Sequence, residues 1–408
     1  MAELLYGFVY FQDCLAGLLR QETGDRCSFA YDKEYLSEGM PSIALTLPPL
    51  GEPHIYAGRL HPYFDNLLAE GRLAGAQARW LGVPVEDRFA RLLAFGGDCI
   101  GAVAVRDPRP RAATGELPEA AEEIAALESR ASISGVQAKL LAVETEAGFR
   151  PARAGELSTH IAKLPGGNLP EIVALEHLST MAARILLPGD EIAETRIGEV
   201  EGIGGECLLI RRFDRVRENG ALVKRHFEEF NQILGHASEE KYKGRYSDMS
   251  DVLRQNPRCS LLDVDRLFRR ILVSILLGNN DAHMKNFGLL YEGERLRLAP
   301  FYDVLAAALY PEYSQTGMAL RLGPGTNPGN LAGVGPAHLS ALAESFGLGK
   351  AALREAVHDL GRHLDAAEEA VQQAPFGSPE IRNQLATYMR KRWNGTFSQI
   401  SGSTGRRL

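Results

Sequence analysis

The sequence has no two cysteines near enough for a zinc knuckle or a C-x-x-C redox couple. Its five, Cys14, Cys27, Cys99, Cys207 and Cys259, are scattered. An odd, dispersed set fits a reducing compartment. Long apolar runs are absent too. The longest near the middle, residues 271–277, falls far short of the roughly 20 residues that cross a bilayer. The N-terminus has an early Glu3 and no basic stretch, which makes a poor signal peptide. A cytoplasmic protein with no membrane association is the expectation. Positive charge is not in excess: 45 Lys and Arg against 52 Asp and Glu give −7. The surface as a whole therefore has no general pull on phosphate backbones, although a local basic patch stays open. What remains is a globular balance, 45% apolar and 24% charged over 408 residues. That is enough material for two or three domains with a sizeable core.

Along the chain the texture changes twice. Residues 4–10, 28–31 and 42–47 read as strands, 61–70, 72–81 and 87–95 as short helices, and 100–105 as a closing strand. Pro108, Pro110, Gly115 and Pro118 then forbid a long regular element. The next stretch reads as a linker running into a short helix at 119–127. Strands are expected at 139–143, 160–164, 195–200 and 207–213. A helix is expected over 171–187, with Leu175, Leu178, Ala182, Ile185 and Leu186 as its apolar stripe. Residues 236–250 are polar without a useful period and read as a loop. Val264, Leu267, Phe268, Ile271, Leu272 and Ile275 recur at helical spacing and predict a core helix ending at Gly278. A hairpin is expected at 287–291 and 295–298, then helices at 304–309, 338–346, 350–373 and 379–393. Strand-rich then helix-rich order points to an α+β chain with two lobes.

The most informative segment is 278–287, GNNDAHMKNF, which puts Asp281, His283, Lys285 and Asn286 in one loop after the core helix. Asp281 and Asn286 form D-x-x-x-x-N. In phosphoryl transfer the Asp takes the proton of the attacking hydroxyl, and the Asn oxygen helps hold Mg²⁺. Alone the motif is weak, since many loops contain it by chance, and a solvated turn with Asx hydrogen bonds is the commoner reading. Asp303 follows 17 residues after Asn286, where a second Mg²⁺ carboxylate would sit. It is equally a helix cap. Lys163 on a short strand is a candidate phosphate cation, with Glu176 as its possible lysine partner, although exposed helix glutamates are common. Ser132 to Lys139, with one Gly between Ser, Gln and Lys, could wrap a phosphate through backbone N–H groups.

Taken together and in order, these pieces resemble the HipA family of bacterial serine/threonine kinase toxins. The residues that carry the resemblance are SISGVQAKLL (132–141), THIAKLP (159–165), LEHLSTMAARIL (175–186), LLIRRFDR (208–215), Lys241-Tyr242, LLGNNDAHMKNFGLL (276–290) and LAPFYDV (298–304). RCSFAYDKEYL (26–36), PYFDNLLAEG (62–71) and GGDCIGA (96–102) carry it in the first domain. The resemblance implies a two-lobed protein kinase-like α+β fold with four parts. These are an N-terminal subdomain over 1–106, a linker over 107–131, a small-lobe-like region over 132–235 and a helical C-terminal lobe with the catalytic loop over 236–408. It implies ATP and Mg²⁺ as cofactors and Asp281 as catalytic base, with Asn286 and Asp303 as metal ligands. Ser134, Gly135, Val136, Gln137, Ala138, Lys139 and Lys163 would meet the phosphates. Arg211, Arg212 and Phe213 would lie beside the adenine, and His283, Met284, Lys285 and Tyr302 would line the nucleotide site. Arg-Arg-Phe departs from the pattern, since an acidic or apolar residue often precedes that Phe. Family members autophosphorylate on a loop serine, here Ser132 or Ser134, and switch themselves off. They act on a protein such as an aminoacyl-tRNA synthetase and pair with a small helix-turn-helix antitoxin, HipB-like, through which they meet DNA. A kinase-fold enzyme for small molecules and a non-catalytic co-repressor are the alternatives.

Overall fold

The computed structural model describes residues 4–401, apart from 111, 112, 117, 119, 130–136, 167, 168 and 326. The chain folds as two compact units, each made of two stretches. Residues 1–165 and 198–241 form the first, and 166–197 and 242–408 the second.

The first unit opens with an antiparallel sheet in the order β4-β3-β2-β1-β5. Its strands are β1 (Tyr6–Phe11), β2 (Cys14–Glu22), β3 (Arg26–Tyr31), β4 (His54–Tyr56) and β5 (Val103–Arg106). Helices α1 (Lys33–Ser37), α2 (Pro62–Asp65), α3 (Gly71–Leu81) and α4 (Arg88–Phe95) accompany it. Val9, Leu19, Phe29, Phe64 and Leu92 meet in its core. Helix α5 (Ala121–Glu128) leads to a second antiparallel sheet, in which β7 (Gly148–Pro151), β6 (Lys139–Thr145), β8 (His160–Lys163) and β10 (Cys207–Arg211) lie side by side. Leu140, Ala162 and Leu209 are buried on it. Strand β9 (Thr195–Gly198) straddles the boundary between the units, and β11 (Arg215–Glu218), β12 (Ala221–Lys224), β13 (Phe227–Glu229) and α7 (Phe230–Ile233) complete the first.

The second unit is helical: α6 (Ile172–Leu186), α8 (Tyr246–Gln255), α9 (Leu261–Leu277), α10 (Pro311–Ser314), α11 (Pro336–Ser345), α12 (Lys350–Gln373), α13 (Pro379–Arg392) and α14 (Ser398–Ser401). It contains one hairpin among its described residues, β14 (Gly288–Glu292) with β15 (Arg295–Leu298). Ser260 caps α9, its hydroxyl accepting from the N–H of Leu262. All six residues of the predicted stripe are buried, each worth roughly 1.5–3 kcal/mol of hydrophobic stabilisation. α6 and α13 pack on α9, and α12 packs on α6. No described helix is long and apolar enough to cross a membrane.

The structure corrects several of the sequence-based elements and adds strands that the sequence reading lacked, β2, β4, β7, β11, β12 and β13. Residues 42–47 form a turn held by an Ala44–Leu47 bridge, not a strand. The helix expected over 61–70 is only Pro62–Asp65, because the chain then tightens, with Leu67 N–H bonding Phe64 O and Leu68 N–H bonding Asp65 O. The loop expected over 236–250 contains the first half of α8, whose Tyr246, Met249 and Leu253 are buried at helical spacing among polar residues. The helix expected at 304–309 is a single 3₁₀ turn, Ala307–Leu309.

Candidate active site

The polar loop hangs from the end of α9. Gly278 ends that helix at φ +88°, and a Cβ there would meet the Tyr388 ring at 2.9 Å, so glycine fits on both counts. Its carbonyl accepts from Ala308 N–H at 2.9 Å. Asn280 crosses the loop, donating to Thr316 Oγ1 at 2.6 Å and Tyr313 O at 2.8 Å. Asp281 stands exposed beyond it. Its carbonyl accepts from His283 N–H at 2.8 Å, and a 3₁₀ turn, Met284–Asn286, carries the chain into β14.

Asn286 joins the two halves of the expected metal pair. Its Oδ1 accepts from His283 N–H at 2.9 Å, and its Nδ2 donates to Asp303 Oδ2 at 2.5 Å. Asp303 has φ +58°, in the left-handed region that non-glycine residues rarely enter. Tyr302, beside it, donates to Lys285 O at 2.7 Å, and Asn279 Nδ2 reaches Asp303 O at 3.4 Å. Asp281, His283, Met284, Lys285, Asn286, Tyr302 and Asp303 therefore belong to one constellation. Two residues outside the expected set grip the same loop. Tyr242 donates to Asp281 Oδ1 at 3.0 Å, and Tyr246 donates to Ala282 O at 2.8 Å. The Lys241-Tyr242 pair was the sequence signal for the first of them.

The expected nucleotide residues of the first unit lie around β6 and β8. Lys139 and Lys163 are directly opposite each other on these antiparallel strands, so both side chains leave the same face. Gln137 Nε2 donates to Leu164 O at 2.9 Å, and Leu164 N–H to Ala138 O at 2.9 Å, which fixes the entry to β6. Ser132, Ser134, Gly135 and Val136 lie outside the described residues. Glu176 is buried on α6, in the other unit from Lys163.

At the end of β10 the three expected residues part. Arg211 is exposed, and the Phe213 ring packs edge-on to Phe227 at 5.2 Å. The Arg212 side chain turns inward and is buried, so that segment presents its backbone rather than this guanidinium. It donates twice to Asp214 (2.9 and 2.7 Å), to Ser158 Oγ at 2.9 Å and to Cys99 O at 2.8 Å. Arg215 meets Asp98 at 2.6 Å and Asp214 at 2.9 Å. Burial alone would push the Asp98 carboxyl up, but Arg212, Arg215 and Lys224 outweigh it and hold the group well below the usual carboxylate range. Asp98 also accepts from Ser158 N–H and Oγ–H, two residues ahead of β8.

The donor set suits a hard cation. Mg²⁺ takes few protein oxygens and leaves the rest to water and phosphate. Asn286 and Asp303 supply such a pair, already in hydrogen-bond contact. No group of three or more His, Cys, Asp or Glu that could hold a metal ion occurs among the described residues.

The class is thus a mixed α+β fold, with a strand-built first unit and a helical second unit that carries the polar loop. Comparison with known proteins takes the next step. A model of the HipA-like C-terminal domain matches residues 131–368, and one of the HipA N-terminal domain matches 8–106. The chain belongs to the HipA family. It is 29% identical to a Sinorhizobium fredii protein named "Putative kinase Y4mE", over 89% of this chain and 90% of that one. It is 32% identical to "Putative kinase Y4dM" of the same species, over 78% and 81%. The serine/threonine-protein kinase toxin HipA of Shewanella oneidensis is 25% identical, over 90% and 88%. The Shewanella oneidensis HipA solved in complex with HipB and operator DNA superposes with a TM-score of 0.77 at 20% identity, covering 97% of this chain and 99% of that one. This likeness shows that the fold is shared.

Proposed function

We propose that this chain is a Mg·ATP-dependent kinase that phosphorylates serine or threonine on a protein. The reading rests on one observation: exposed Asp281 sits five residues before Asn286, and Asn286 is hydrogen-bonded to a left-handed Asp303. ATP supplies the phosphoryl group, and Mg²⁺ neutralises charge on it. The chain's residues do the rest. Asp281 accepts the proton of the attacking hydroxyl as the new O–P bond forms and the γ-phosphorus parts from its bridging oxygen. Asn286 and Asp303 would hold the cation. Lys139 and Lys163, opposite one another, present two ammonium groups to the triphosphate, with Gln137 and Ala138 in the loop before them and the segment Arg211, Arg212 and Phe213 on the adenine side.

The proposal extends to a toxin role. The substrate class is a translation protein such as an aminoacyl-tRNA synthetase, and the partner is a HipB-like helix-turn-helix antitoxin. A chain of formal charge −7 suits DNA contact through that partner. Autophosphorylation at Ser132 or Ser134 would place a dianion against the ATP phosphates and repel them.

Intact-mass spectrometry after incubation with Mg·ATP tests this, comparing wild type with Asp281→Ala. One or two added phosphates in wild type, none in the variant and none after replacement of both serines, is the expected pattern. No phosphate on wild type, and none passed to any protein of a cell extract, sinks the kinase reading.

A further inference from the structure

We infer that Tyr242 is a positioning residue for the proposed base: its phenol fixes the rotamer of Asp281 that receives the substrate proton. This rests on the kinase reading of the same loop and adds a residue to it.

Asp281 is exposed. A base that swings through several rotamers meets the hydroxyl in only a fraction of encounters. Tyr242 donates its O–H to Asp281 Oδ1 at 3.0 Å. A hydrogen bond to one carboxylate oxygen restricts the rotation of the group, and with it the directions open to the other oxygen. Hydrogen bonds to an ionised acceptor are the stronger kind.

The phenol is itself held. Its ring meets the His283 ring edge-on at 5.3 Å, so it braces on the loop it serves. Four residues on, Tyr246 is fully buried at the start of α8 and donates to the carbonyl of Ala282. One segment thus grips Asp281 by its side chain and the next residue by its backbone. On the other side, Lys241 is tied to Glu70 at 2.8 Å, and Glu70 also accepts from Ser238 Oγ at 2.7 Å. Lys241 closes the first unit and Tyr242 opens the second. Each of these two side chains is thus anchored within its own unit. Tyr242 is half exposed, at 50%, a high value for an aromatic ring whose only task is packing.

Two measurements on the full chain decide this. The first incorporates 3-fluorotyrosine at position 242 and records its ¹⁹F resonance, with and without Asp281→Asn. The resonance is expected to move when the carboxylate is removed; an unmoved resonance overturns the contact and the inference, whatever the activity. The second compares phosphate transfer by wild type and Tyr242→Phe, which loses one oxygen. We expect kcat to fall about tenfold, the scale of a lost hydrogen bond to a charged group, with the KM for ATP within about twofold and the melting midpoint unchanged. A kcat equal to wild type overturns the positioning role, as does a loss confined to KM. If wild type transfers no phosphate while the resonance still responds to Asp281→Asn, the kinase reading falls and the positioning role with it, but the contact stands.

Discussion

Asp303 is held at φ +58° by its surroundings. An L-residue in that conformation costs roughly 1–2 kcal/mol, and glycine is largely exempt. On the proposed reading the cost falls where the carboxylate would hold the cation, beside Asn286, as strain does at working sites. Both Asp303→Gly and Asp303→Ala are expected to abolish phosphate transfer. Their stabilities should differ in the unusual direction, with the glycine variant the more stable by about 1 kcal/mol, read as a higher melting midpoint. Equal midpoints would mean the left-handed backbone is not kept in solution. At this scale the sequence was informative where the partners are close along the chain: Asp281, Asn286 and Asp303 all follow one helix. Tyr242 was singled out in the sequence, but its contact with Asp281 was not, because that hydrogen bond spans 39 residues and spacing rules do not reach that far.

At the scale of elements, residues that carry a clean period were legible. The α9 stripe is buried throughout, and α12 runs from Lys350 to Gln373 as the pattern requires. Strand β2 was missed because Gly17 interrupts its alternation. That glycine is needed where β2 lies against β3, since a Cβ there would meet Ala30 O at 2.3 Å. The buried ion cluster behind β8 and β10 was equally illegible, since it gathers Asp98, Arg212, Asp214, Arg215 and Lys224 from three separate segments. Removing one carboxylate, Asp98→Ala, leaves Arg212 and Arg215 undercompensated and should destabilise the protein by about 3 kcal/mol or more, measured by thermal unfolding. Lys224 makes the opposite case. Three cations face two carboxylates there, and desolvation together with Arg215 lowers the ammonium to about 8. An unfolded chain holds that proton to about 10.4. The unfolded state thus binds more protons between about pH 8 and 10.4, so stability should rise with pH across that window. Lys224→Met should lose the rise and be no less stable than wild type at pH 7. A wild-type melting midpoint flat from pH 8 to 10 would contradict this.

At the scale of the molecule, the chain passes between its two units three times, after 165, 197 and 241. The middle excursion carries α6, whose apolar stripe packs on α9 and α12 of the second unit. A reading along the sequence places α6 with the strands around it. Its neighbours in space are 75 or more residues away, and the stripe says only that the helix is buried, not against what. The interleaving has a consequence for dissection. A fragment ending at 241 keeps α6 but loses every helix that covers Leu175, Leu178, Ala182 and Leu186. A fragment beginning at 242 keeps α9 and α12 and loses the helix that fills their groove. Each cut exposes an apolar face large enough to drive association, so neither fragment should give a cooperative melting transition by itself, and both should be largely insoluble. Co-expression of 1–241 with 242–408 restores α6 to its place and should yield a soluble complex of the two. A fragment beginning at 242 that melts cooperatively alone would show that α6 is an accessory to the second unit rather than part of its core.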